Sequence, residues 1–92
     1  MLSDPYKAWY LIKDGKTKMG VTYLTDQNEI GIFIQHRFQR LGIGLVAIHK
    51  LMEAHPTDKY LANIAPKNTA SQEFFTRLGF KLIQFTYAKE HK

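Results

Sequence analysis

The chain has 92 residues, 45% hydrophobic and 23% charged, which is the balance of one small folded soluble domain and excludes a disordered polar segment. It has no cysteine, which excludes disulfides, thiolate metal ligands and a cysteine nucleophile. Thirteen Lys and Arg stand against eight Asp and Glu, a net charge of +5, so the surface favours anionic partners or is simply well solvated.

No apolar run approaches the roughly 18 residues of a membrane helix, and no basic-then-apolar leader opens the chain, so the expected location is cytoplasmic. A chain this short buries only about 60–65% of its unfolded surface, which implies a thin core. Residues 1–7 read as a loose lead, 8–88 as a single domain and 89–92 as a basic tail. Pro5, Pro56 and Pro66 fall between periodic stretches and act as punctuation.

Residues 8–13 (AWYLIK) are aromatic and β-branched and read as a strand. Asp14-Gly15 is a two-residue hairpin signal, and residues 16–24 are its partner strand. Residues 25–28 (TDQN) form the next turn, since these side chains hydrogen-bond their own backbone. In residues 29–34 (EIGIFI), Ile30, Ile32 and Ile34 share one face while Glu29, Gly31 and Phe33 share the other. From Leu45 the spacing turns helical, with Leu45, Ile48, Leu51 and Met52 on one stripe, and Pro56 follows its end.

Residues 59–65 (KYLANIA) read as a further strand, and strand–helix–strand implies a right-handed crossover. Asn68 is placed to cap a second helix, whose stripe is Ser71, Phe74, Phe75 and Leu78, with Gly79 at the C-cap. Residues 80–88 (FKLIQFTYA) alternate and read as a last strand. The expected fold is α/β, order β-β-β-α-β-α-β, a mixed sheet flanked by two helices.

Two glycines one residue apart, Gly42 and Gly44, lie between a strand and a helix. Glycine lets backbone N–H groups converge there, at a helix N-terminus whose dipole is positive, and Arg37 and Arg40 are close by. That is a candidate anion site. It is neither the dinucleotide fingerprint, since Ala47 replaces its third glycine, nor a P-loop.

Gln39-Arg40-Leu41-Gly42-Ile43-Gly44 fits the pattern [Q/R]-x-x-G-x-[G/A]. Asn68, Ser71, Phe74, Phe75, Leu78, Gly79 and Phe80 fit N-x-x-[A/S]-x-x-[LF]-[YF]-x-x-[LM]-G-F. In both patterns, and in the strand between them, the chain resembles the GNAT-type N-acetyltransferases over roughly residues 8–88. The resemblance implies acetyl-coenzyme A as cofactor and a primary amine as acceptor, with an amino-sugar one candidate. By that resemblance the backbone N–H groups of Gln39, Arg40, Leu41, Gly42, Ile43, Gly44 and Leu45 cradle the cofactor's diphosphate, and Arg40 or Arg37 reaches its ribose phosphate. Pantetheine runs beside Ile32, Phe33 and Ile34, in a gap facing residues 59–65. Asn68 holds its end, and Ser71, Phe74 and Phe75 line the helix face towards it. Glu29, opening the third strand, is the candidate base; a solvated charge at a strand start is the alternative.

Two departures stand out. Many members of the family carry a tyrosine acid at the position of Phe75, and phenylalanine donates no proton; Tyr60 and Tyr87 are alternative donors or packing aromatics. The first strand and helices of a full member also have no counterpart here, so a short or N-terminally truncated member is expected, with a homodimer completing the site. A non-catalytic module that holds coenzyme A or a partner is the competing expectation. His36, His49, His55 and His91 lack metal-ligand spacing, so no metal is expected. Trp9 and Tyr10 beside Lys7 and Lys13 are expected in the core; the alternative, a stacking platform for nucleic acid, ranks below it. Asn63 is a polar residue in an apolar run, facing the acceptor or meeting a sheet-edge bond.

Overall fold

The computed structural model describes residues 6–90. Strands β1 (Tyr6–Asp14) and β2 (Thr17–Thr25) form a hairpin across the two-residue turn Gly15-Lys16, one residue later than the expected Asp14-Gly15, and β3 (Ile30–Ile34) adds to the other edge of β2. All pairing in this three-stranded sheet is antiparallel. The turn before β3 is built by Thr25: its hydroxyl accepts from Gln27 N–H (3.3 Å) and Glu29 N–H (3.0 Å), while Asn28 takes the left-handed conformation at φ 64°.

The register places Tyr10, Thr22 and Ile32 in one row, and Leu24 and Ile30 in the next. Both helices pack on this face: α1 (Ile43–Ala54) contributes Ile48 and Leu51, and α2 (Thr69–Arg77) contributes Phe75. Leu24, Ile30, Ile48, Leu51 and Phe75 form the buried core, with Tyr60, Ala62, Ile64 and Phe80 packed at its margin. The only buried polar side chain among the described residues, Thr22, donates to Gly31 C=O at 2.9 Å. Asn68 caps α2, its Oδ1 accepting from Ser71 N–H at 3.1 Å. No helix among the described residues is long and apolar enough to cross a membrane.

The structure corrects the expected order in two places. Residues 59–65 do not form a strand: they touch the sheet at one parallel bridge, Glu29 with Leu61, and then part from β3. Residues 80–88 do not form one either; the chain there has no ladder, and beyond the half-buried Phe80 every residue is exposed. Alternation gives a strand its faces, but only a neighbour's backbone makes it a strand. The described order is β-β-β-α-α, with a 3-10 turn at His36–Phe38 before α1.

Two packing expectations also change. Trp9 stands 53% exposed in a row with Tyr23 and Gly31, on the sheet face opposite the helices, and Phe33 is 61% exposed on that face too. Tyr10 shares the helices' face but remains at the rim, its hydroxyl 2.7 Å from His55 Nε2. Leu45 is 45% exposed in the first turn of α1, and Ile48, one turn on, is the first residue of that stripe to be buried.

Candidate functional site

The start of α1 follows directly from the glycines. Gly42 is the N-cap at φ 77°, with no atom within 4 Å of where a side chain would begin. No side chain caps this helix and its first turn holds no acidic residue. The N–H groups of Ile43, Gly44 and Leu45 have no acceptor among the described residues; the first bond of the helix is Val46 N–H to Gly42 C=O. The positive end of α1 is thus left open to an anion, with the exposed Arg37 and Arg40 in the preceding loop.

Gln39 anchors that loop: its Nε2 donates to Ile34 C=O, 2.9 Å away at the end of β3. Arg37 lies 4.6 Å over the ring of Phe38. Gly44 answers a different need, since a side chain there would meet Phe74 at 3.3 Å and Ile32 Cδ1 at 3.5 Å. Its absence lets α1, α2 and β3 converge.

Where residues 61–65 part from β3, a cavity of about 210 Å³ opens. Glu29, Gly31 and Ile32 stand on one side, Asn63 to Ala65 on the other, and Asn68, Ser71 and Phe75 close it from α2. Ile32 links this cavity to the open helix start, because it lines the first and touches Gly44 in the second. Glu29 is held from both ends: Asn63 Nδ2 donates a short hydrogen bond to Oε2, and Thr25 Oγ1 donates to Oε1 at 3.4 Å. Asn63 thus meets the carboxylate and not a sheet edge.

The structure does not bring every expected residue to one place. Ile32, Asn68, Ser71 and Phe75 surround the small cavity together with Glu29. Phe74 meets the open helix start through Gly44. Leu41, Gly42 and Ile43 line a larger cavity of about 440 Å³ on the other side of α1, facing Tyr10, Ile12 and Met19. Phe33 and Ile34 line neither cavity, and Leu45 points to solvent. Tyr60 is not in the site: its hydroxyl donates to His55 C=O (2.7 Å) and Met52 C=O (3.2 Å), satisfying the end of α1. Tyr87 is 90% exposed, far from burial of any kind.

Sequence reasoning missed Tyr23. Its phenol fills the space over Gly31 that any side chain there would claim, so the glycine is what admits the ring. Tyr23 lines the same cavity as Glu29, and Tyr6 packs edge-on against it at 5.1 Å. The signal that was available is the pairing of a glycine in β3 with a tyrosine in β2, visible only once the register is known.

No curated protein and no solved structure matches the chain. The loop that uncaps α1 and the helix that closes the cavity both lie within a recognised domain: the family model of the acetyltransferase (GNAT) domain matches residues 3–81, and the chain belongs to that family.

Proposed function

We propose that the chain binds acetyl-coenzyme A and transfers its acetyl group to a primary amine. The observation that carries this is the continuity of two features, an open helix start suited to a diphosphate and a narrow cavity holding a carboxylate, joined through Ile32. The residues fit the cofactor: unpaired N–H groups and two arginines for its phosphates, and a seam of mixed polar and apolar lining for its amide-bearing arm. The cofactor supplies an acyl group already activated as a thioester.

The chain's own groups do the rest. Ile43, Gly44 and Leu45 donate N–H bonds to phosphate oxygens. Asn68 has its Oδ1 committed to the helix cap, so its Nδ2 is the atom left for the arm. Glu29 takes a proton from the acceptor's ammonium group, and Asn63 fixes which way its carboxylate faces. Phe75 has no proton to give the thiolate that leaves when the thioester C–S bond breaks, and Tyr23 is the phenol in the cavity that can donate one.

The test is ligand-dependent stability followed by turnover. At 100 times its Kd, acetyl-coenzyme A adds about 2.7 kcal/mol of stability, and no rise in melting temperature at millimolar cofactor refutes the reading. Thiol release with a panel of amines, sugar amines included, is expected to fall roughly 10²–10⁴-fold in Glu29→Gln. The phenylalanine at position 75 favours a second reading, a module that holds coenzyme A without turnover; binding with no thiol release from any amine would establish it.

A further inference from the structure

The cavity of about 440 Å³ beside α1 shares no residue with the one that holds Glu29. It exists because α1 packs mainly on β2 and β3 and leaves the inner face of β1 uncovered. A tie between helix and strand stands at one end, where the Tyr10 hydroxyl lies 2.7 Å from Nε2 of His55, the C-cap residue of α1. From there the cavity follows one stripe of the helix, Lys50, Ala47, Val46 and Ile43, back to Gly42 at its start.

Its walls are apolar and uncovered: Tyr10, Leu41 and Val46 are 43%, 66% and 53% exposed. At its depth lie Thr22 and Leu51, both buried, and the Thr22 hydroxyl already donates to Gly31 C=O. No buried polar side-chain atom among the described residues lacks a partner, so the interior offers water and polar ligands little to bond. Charge enters at the rim. Lys13 from β1 and Lys50 from α1 are exposed, stand on opposite walls and form no ion pair with any described residue. No acidic residue lines the cavity among those described. An apolar interior beside two unneutralised cations is complementary to a ligand with an apolar body and an anionic head.

We propose that this cavity binds a medium-chain fatty acid, its hydrocarbon chain lying between β1 and α1 and its carboxylate held by Lys13 and Lys50. The volume falls within the roughly 300–1,000 Å³ of small-molecule sites. Met19, with its flexible thioether, lines the β2 side and adapts to chains that differ by a few carbons. The site is separate from the Glu29 cavity and does not depend on acetyl transfer.

The test is calorimetric titration of the full chain with hexanoate, octanoate and decanoate, each below its micelle concentration. Every added methylene should tighten binding about fourfold. Decylammonium, with the same chain and the opposite head charge, should bind on the order of tenfold or more weaker than decanoate. Lys13→Gln/Lys50→Gln changes two exposed side chains and should weaken decanoate on the order of tenfold, with circular dichroism unchanged. Ala47→Phe places a ring in the cavity and should abolish binding; should that variant not fold, the lysine pair decides alone. Decanoate should still bind when acetyl-coenzyme A is saturating. Equal affinity for decanoate and decylammonium overturns the proposal, as does a lysine variant that binds like the parent. Binding retained in folded Ala47→Phe moves the chain to the open face of Trp9 and Phe33 and overturns it too. Displacement of decanoate by acetyl-coenzyme A places it in the Glu29 cavity with the same result. A chain that binds decanoate but not acetyl-coenzyme A refutes acetyl transfer and upholds this site.

Discussion

Replacing Gly42 by alanine strains the backbone without touching a neighbour. At φ 77° an alanine pays roughly 1–2 kcal/mol in left-handed strain, while the stiffer unfolded chain returns roughly 0.4–1 kcal/mol. No atom lies within 4 Å of the new methyl group, so sterics add nothing. The expected net loss is about 1 kcal/mol, or roughly 4–8 °C in Tm for a domain of this size. Gly44→Ala is the control. Its backbone is helical, so alanine gains about 1 kcal/mol in propensity, offset by pressing Phe74, whose ring already lies 3.3 Å from the new methyl position. The net change should lie near zero, because the propensity gain of about 1 kcal/mol is opposed by the roughly 1 kcal/mol at the mild end of overpacking. Gly42→Asn should recover part of the loss, because asparagine tolerates this conformation better than alanine. Urea unfolding of the three variants measures all of this. If Gly42→Ala is as stable as the parent, or if Gly44→Ala is the more damaged of the two, the assignment of strain to one glycine and crowding to the other is wrong.

Asn68→Ala removes the cap of α2 and should cost about 1 kcal/mol in urea unfolding, with Asn68→Asp retaining most of it, since the oxygen that accepts from Ser71 N–H is kept. Tyr23→Phe keeps the ring over Gly31 and should leave stability and cofactor affinity intact, while kcat falls on the order of 10-fold or more, as for loss of a general acid. An unchanged kcat would remove the phenol from the reaction.

The parts of the fold legible in the sequence are those that short-range physics fixes. The Asp14-Gly15 signal located the hairpin to within one residue of its Gly15-Lys16 turn, the alternation of residues 29–34 chose which face Ile30 and Ile32 bury, and Asn68 capped its helix. The Gly42-Ile43-Gly44 loop could be read as a glycine-rich helix start because glycine spacing is a local fact, while the missing side-chain cap is what the structure added. Glu29 was readable as a charged residue opening a strand, but its two hydrogen-bond partners were not.

What the sequence alone determined, then, is which residues have strand or helix character and where the chain turns. The tertiary structure decided which of those strands exist. Residues 59–65 and 80–88 carry strand composition but lack neighbours along most of their length, and a strand is completed only by another segment's backbone. The same limit explains Trp9 and Tyr23. Their aromatic character was plain, but whether a face is covered depends on which layers pack against it, and here both helices chose the other side of the sheet. The cavity itself is a product of that choice: it exists because Leu61 meets the sheet and the residues after it do not.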